Sequence, residues 1–368
     1  MNRLAHHGTG RLSLNALVAV MLAAFLLALL PAPSSFAQSQ GNVPGETLGN
    51  KAGPDFWREI RKGAQGSVSI PNKQAGQLIQ SEGDNWRAVR NGPLSKWGGW
   101  AMFGMIALLA LFFAGRGRIA IDQGASGKTV QRFNSMERMG HWLLASSFII
   151  LAVSGLNMLY GKYVLLPLLG PGIFAALTAA GKWLHNHVAF AFMVGLVIIF
   201  VQWVMYNFPS RTDLTWLWQA GGLFSKGNHP PAKKFNAGQK ILFWLVLFFG
   251  VSISFSGIAL MFPFEYAMFT KTFAFLHSIG FYYEATVLTP MQEMQYSQLW
   301  HSILAFAFIA VILGHIYIGS IGMEGAFDAM GSGQVDANWA REHHSLWMEK
   351  IGGKAESKDE KVAPTAAE

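Results

Sequence analysis

Apolar runs close to the length of a bilayer crossing alternate with short polar and basic stretches along this chain. Five membrane spans are expected, over residues 97–114, 139–160, 187–206, 240–262 and 299–321. Their ends carry recognisable punctuation. Asn134 and Glu137 stand at N-cap and N3 spacing ahead of the second run, Arg116 and Arg118 close the first, and Pro209 and Pro263 follow the third and fourth. No repeat of 20–50 residues is evident. The pattern predicts an all-α integral membrane protein, a helical bundle with polar segments at both ends.

The segment before the first run divides in two. Residues 1–37 read as a secretory signal: Arg3 and Arg11 supply the positive region, 12–30 the apolar region, and Ser35-Phe36-Ala37 a small-x-small site. An uncleaved anchor is the other reading of so long a run. Residues 38–96, with Trp57 and Trp86, form a polar arm, either ordered on a partner or a linker. The extra span at 97–114, a four-helix domain at 115–322 and a tail at 323–368 complete the expected organisation.

Loop charge orients the bundle. Residues 115–138 hold Arg116, Arg118, Lys128, Arg132 and Arg138, and residues 207–240 hold Arg211, Lys226, Lys233, Lys234 and Lys240. The alternate loops hold only Lys162 and Lys182, or Lys271. The two basic loops are therefore expected in the cytoplasm, with the 38–96 arm outside and the C-terminus inside. A signal at the N-terminus gives the same topology.

Composition narrows the chemistry. Charged residues make up 13% of the chain, about half the usual share of roughly 25%. The net charge of +8 sits beside the apolar runs and forms no stripe with interleaved aromatics, which argues against nucleic acid. With no cysteine, the chain cannot ligate iron–sulfur clusters, hold haem by a thiolate, tether it covalently or form disulfides. A redox cofactor would have to hang on histidine or methionine.

Histidines supply the candidate chemistry. An ionisable side chain in a span is costly without a partner, so His141, His185, His301 and His315 are the candidates. His301 and His315 are 14 residues apart in one span. That spacing falls about 40° short of four turns and about 21 Å along the axis, which puts both on nearly one face at opposite membrane surfaces. His141 opens the second span at the depth of His315, and His185 the third at the depth of His301. The arrangement suits two haems, each between two imidazoles. Gly155, 14 residues after His141, would keep that face clear for the outer porphyrin. A lone interfacial histidine is ordinarily a polar anchor; four at matched depths are a pattern. His187 competes with His185, and helical geometry leaves that choice open. His229 and His277 read as loop residues, His343 and His344 as tail residues.

These residues together make the chain similar to a known family. Arg132-Phe133, Glu137-Arg138, His141-Trp142, Ser154-Gly155 and Trp183-Leu184-His185 carry the first half of the likeness. Lys234-Phe235-Asn236-Ala237-Gly238-Gln239-Lys240, His301, Gly314-His315-Ile316-Tyr317 and Trp339-Ala340-Arg341-Glu342-His343-His344 carry the second. Over about residues 128–350 the chain resembles the gamma, cytochrome b, subunit of membrane-bound respiratory formate dehydrogenases. The resemblance implies two b haems on His141, His185, His301 and His315, and so selects His185 over His187. It implies a quinone site, for menaquinone or ubiquinone, at Asn236, Gly238, Gln239 and His315. Without it, Asn236 would read simply as an N-cap. It also implies an iron–sulfur subunit and a molybdenum or tungsten catalytic subunit as partners, in a bacterial inner membrane. The signal, arm and first span depart from the shorter members of that family.

The expected activity is transfer of electrons from formate oxidised outside, through the outer and inner haems, to quinone near the cytoplasmic face. A cytochrome b subunit of a hydrogenase or another quinone-linked oxidoreductase is a close alternative. A haem-free transporter with a histidine proton relay is a different one, disfavoured by the lack of Asp, Glu, Lys and Arg inside the spans.

Overall fold

A computed structural model describes residues 66–67, 77–78, 83–281 and 288–360. The expected signal at 1–37 and most of the 38–96 arm lie outside these residues, as do 361–368. Two short strands, β1 (Gly66–Ser67) and β2 (Gln77–Leu78), pair antiparallel. Helix α1 (Gly83–Val89) passes through a π turn at Arg90–Leu94 into α2 (Ser95–Arg116), the first apolar helix.

Helix α3 (Ser135–Trp203) is long because it holds two crossings joined at one residue. Gly170 lies at φ +73° and ψ 168°, between Pro167 and Pro171, a conformation that glycine adopts without steric cost. The chain folds back there into a hairpin. Trp203 donates to the Glu137 carboxylate at 3.0 Å, the rings of Phe148 and Phe192 are 6.4 Å apart, and Asn157 meets Thr178 at 3.4 Å. A Cβ on Gly195 would stand 3.0 Å from the Leu144 Cα, so the two arms approach backbone to backbone there. Asn134 caps the first arm, accepting from Met136 and Glu137 while the Glu137 carboxylate accepts from the Asn134 N–H.

The spans expected at 139–160 and 187–206 are thus the outer parts of two longer helical arms, and residues 161–186 are helical, apart from the break at Gly170, where a loop was expected. Lys162, Lys182 and the Gly-Pro pair interrupt the hydropathy there, but helix formers such as Ala175, Ala176, Ala179 and Ala180 keep the backbone helical. Each arm is about 50 Å long at 1.5 Å per residue, against a hydrocarbon core of about 30 Å.

The remaining bundle helices are α5 (Ala237–Met261) and α7 (Pro290–Tyr317), separated from α3 by the short α4 (Arg211–Trp218) and from each other by α6 (Met268–Ser278). Among the described residues, four helical stretches are long and apolar enough to cross a membrane: Asn85–Arg116, Ser135–Tyr206, Ala237–Met261 and Pro290–Gly322. Helices α5 and α7 run antiparallel, with Trp300 donating to Ser252 at 2.9 Å and Phe249 packed on Phe308. Phe148, Phe192, Phe249 and Phe308 fill the middle of the bundle, and Phe308 is only 2% exposed. Beyond it, buried Glu293 accepts from the backbone N–H of Phe269 and Thr270 and ties α6 to α7.

At the opposite end the chain builds a cap. β3 (Thr129–Gln131) pairs antiparallel with β4 (Gln334–Asp336), Val130 opposite Val335, and Arg132 donates its N–H to the Gly333 carbonyl. α8 (Asp328–Gly331), α9 (Ala337–His343) and α10 (Ser345–Glu360) follow the last span, and Trp339 and Trp347 are buried beneath them. The tail expected from 323 is therefore a folded cap through at least residue 351. A tail reading missed it because its order comes from pairing with a strand 200 residues earlier.

Helix α2 lies along α7 and comes closest to it at Gly98. A Cβ on Gly98 would come within 2.2 Å of the Phe306 ring. At the other end, Phe112 and Phe113 meet Tyr317 edge to face. Gly98→Val is expected to destabilise the detergent-solubilised protein by about 1–3 kcal/mol through overpacking. Adding Phe306→Ala should return part of the loss in thermal unfolding; no change on Gly98→Val would place α2 elsewhere.

Candidate functional site: two histidine pairs and a polar cap

Helix α7 carries His301 and His315, and the hairpin supplies a facing ring to each. The imidazole centroids of His141 and His315 are 6.0 Å apart, and those of His185 and His301 are 6.2 Å apart. Two imidazoles trans on one metal, with bonds of about 2 Å on each side, put their centroids about 6 Å apart once the ring radii are added. Both pairs meet that distance, so the donor set fits an iron held between two neutral imidazoles. His187 faces away from His301: it donates from Nδ1 to the Trp183 carbonyl at 2.7 Å and stacks on the Trp183 ring.

The surroundings of the two pairs differ. At the His185–His301 pair each ring has a serine at Nδ1, Ser154 on His185 at 2.9 Å and Ser256 on His301 at 3.0 Å. Each serine precedes a glycine that faces the same ring. A Cβ on Gly155 would lie 3.3 Å from His185 Cε1, and one on Gly257 3.4 Å from His301 Cε1. Gly155, expected to keep its helix face clear, thus borders the His185 ring. At the other pair, His141 Nδ1 is buried and has no hydrogen-bond partner among the described residues. Sequence reasoning named Ser154 only within the Ser154-Gly155 dipeptide of the resemblance, without a role, and passed over Ser256 and Gly257; the one available signal was the same Ser-Gly dipeptide on two apolar helices.

The His141–His315 pair adjoins the cap. Trp142, next to His141, donates to the Met330 carbonyl at 2.9 Å. Asn236 caps α5, accepting from the Gln239 N–H at 2.9 Å, and the Gln239 side-chain oxygen accepts from the Asn236 N–H at 3.1 Å. Both amide oxygens are therefore engaged, and the NH2 groups remain as donors. A Cβ on Gly238 would stand 2.9 Å from Trp216, so glycine lets α4 close over the start of α5. Lys240 pairs with Asp213 at 2.8 Å and fixes the same two helices together.

Arg132 joins this region to the cap. It is 3% exposed, donates to the Lys234 carbonyl at 2.8 Å, and lies over the rings of Phe133, Trp339 and Trp347. Its other terminal nitrogen is buried and has no partner among the described residues. Burial lowers its pKa to about 9, against a raising effect of Glu137. Lys234 pairs with Glu137 at 2.6 Å.

Comparison with known proteins gives a consistent result. The family model described as prokaryotic cytochrome b561 matches residues 132–333, more than half of the chain. The cytochrome b556(fdo) subunit of formate dehydrogenase from Escherichia coli strain K12 is 27% identical over 233 residues, 63% of this chain and 98% of the relative. The cytochrome b556(Fdn) subunit of the nitrate-inducible formate dehydrogenase of the same strain is 28% identical over 238 residues, 64% of this chain and 97% of the relative. The formate dehydrogenase cytochrome b556 subunit of Haemophilus influenzae is 27% identical over 222 residues, 59% of this chain and 81% of the relative.

The matched segment ends inside the cap, whose two histidines give it a pH dependence. Burial, then the charges of His229 and Arg132, lowers the His343 pKa from 6.5 to about 4. Burial and Arg132 hold His344, whose Nδ1 donates to the Lys233 carbonyl, well below its ordinary value. Between about pH 6.5 and 4 the unfolded cap binds these protons and the folded cap does not, so stability falls as pH falls through that window. Acidification from 7 to 4.5 is expected to loosen the cap, read as changed fluorescence of Trp339 and Trp347 and faster amide exchange over 334–348. His343→Gln should weaken the dependence; protection that is flat across this range would contradict it.

Proposed function

The chain belongs to the prokaryotic cytochrome b561 family, and from that membership we propose that it is the membrane cytochrome b subunit of a formate dehydrogenase that passes electrons to quinone. The observation that carries the assignment is the pair of ring separations near 6 Å between the α3 hairpin and helix α7: His141 with His315, and His185 with His301. We assign these four histidines as axial ligands of two b haems. When bound, haem supplies reversible one-electron transfer at each pair. The chain's own contribution is to hold the four rings facing in pairs, in a bundle whose middle is packed with phenylalanine.

The basic loops at 115–138 and 207–240 support an orientation with the His141–His315 end and the cap on the cytoplasmic side and the tip of the α3 hairpin outside. The His185–His301 pair then faces the side where an iron–sulfur subunit and a molybdenum or tungsten catalytic subunit would deliver electrons from formate. No cysteine is present to build such clusters on this chain. The relatives' names as formate dehydrogenase subunits support that assignment of partners.

The quinone site belongs at the inner pair. A quinone oxygen accepts hydrogen bonds, and the NH2 groups of Asn236 and Gln239 are donors left over from the capping box at the start of α5. Gly238 lets Trp216 close over this helix start, which holds the two amides in place, and His315 stands on the neighbouring helix α7. Protons for reduction would enter from the cytoplasmic side, so formate oxidation outside and quinone reduction inside would together charge the membrane.

Asn236→Asp separates ligand binding from capping, because the carboxylate still accepts from the Gln239 N–H while the amide donor is lost. In the purified complex this variant should keep full haem content and formate-reducible haem. Reoxidation by added quinone should slow by about tenfold, the loss of one hydrogen bond. Reoxidation at the parental rate would move the site away from α5.

A further inference from the structure

The two serines at the outer pair have a chemical consequence that follows from counting protons. A serine hydroxyl has one proton to donate. Ser154 Oγ donates to the Ile150 carbonyl at 2.7 Å, and Ser256 Oγ donates to the Ile253 carbonyl at 2.9 Å. With that proton engaged on the helix backbone, the face of the hydroxyl turned to the imidazole offers only a lone pair. His185 Nδ1 and His301 Nδ1, at 2.9 and 3.0 Å, must then be the donors. Each ring is fixed as the Nδ1–H tautomer, with the lone pair of Nε2 directed away from the serine.

We propose that Ser154 and Ser256 are positioning residues of the outer site, fixing the tautomer and orientation of His185 and His301 and making this site the lower-potential one of the two. The inference rests on the assignment of these histidines as haem ligands. Both serines are buried, Ser154 6% exposed and Ser256 fully, so no water competes for the hydrogen bond. Each is followed by a glycine against the same ring, Gly155 on His185 and Gly257 on His301. The same dipeptide therefore seats both rings, once from the first arm of α3 and once from α5.

An acceptor at Nδ1–H makes an imidazole a stronger electron donor through Nε2, which favours the oxidised metal and lowers its potential. The inner pair lacks the matching device at His141, whose Nδ1 has no partner among the described residues. A lower outer potential drives electrons inward, the direction in which a membrane positive outside opposes them.

The test is an optical redox titration of the purified complex, with electron paramagnetic resonance of the oxidised haems. Ser154→Ala, Ser256→Ala, the double variant, and Ser154→Thr with Ser256→Thr are compared with the parent. The double alanine variant should keep its haem content while the lower-potential component moves up. At a fixed ambient potential its oxidised-to-reduced ratio should fall by about tenfold, equivalent to about 59 mV for a one-electron couple. The threonine variant keeps both hydroxyls and should titrate like the parent. An unmoved lower component, a shift confined to the higher one, or haem loss in the alanine variants that threonine does not reverse would overturn the proposal. His185→Ala and His301→Ala run alongside as the control for ligation. If they leave both components in place, the ligand assignment has failed; if they remove one and the serine variants do not move it, only the serine role has failed.

Discussion

A neutral imidazole buried among hydrocarbon side chains is stable only if its nitrogens have somewhere to go, and four such rings organise this protein. Helix α7 carries two of them on one face, and every other bundle helix is placed by what it does for that face. The two arms of α3 present His141 and His185 at the matching depths, at ring separations of 6.0 and 6.2 Å. Helix α5 contributes Ser256 and Gly257 to the upper ring, and its Gly250 admits Leu196 from α3. Between the two levels, Phe148, Phe192, Phe249 and Phe308 close the bundle so that the pairs stay apart and water stays out. Helix α2 lies outside this core, attached to α7 through the gap left by Gly98.

The two ends of the bundle differ in where their polar groups are used. Around the His185–His301 pair the polar groups are spent on the rings themselves, one hydroxyl to each. Around the His141–His315 end they are spread through a polar lattice: the capping boxes at Asn134 and Asn236, the Lys234–Glu137 and Lys240–Asp213 pairs, and Arg132 under three aromatic rings. A site whose polar groups are taken up by the rings suits exchange of electrons alone. A hydrogen-bonding end, with unspent amide donors at Asn236 and Gln239, suits exchange of protons as well as electrons.

Much of this was legible in the sequence, for local reasons. Apolar runs of bilayer length report helices directly, and the caps at Asn134 and Asn236 depend on residues only three positions away. The 14-residue spacing of His301 and His315 is a property of one helix and survives into the fold. What sequence reading missed depends on distant parts of the chain. Gly170 makes one helix into two crossings, and residues read as a loop around it are helical because propensity outlasts the interruption in hydropathy. The cap requires β3 to find β4 across the whole bundle. Ser256 and Gly257 acquire a role only when α5 packs beside His301, 45 residues further on. Asn236 shows both sides: its capping is local and evident, while its proposed ligand role rests on where α5 begins relative to His315.

The central claim is that four histidines hold two haems at two depths, and haem stoichiometry on single ligand variants tests it most directly. Pyridine haemochrome assay of the purified complex should give two b haems per copy of this chain, both released by acid–acetone because the chain has no cysteine to tether them. His301→Ala and His315→Ala should each lose one, and each should lose a different low-spin ferric signal. A ratio near one or zero in the parent would contradict the account, as would loss of the same signal from both variants.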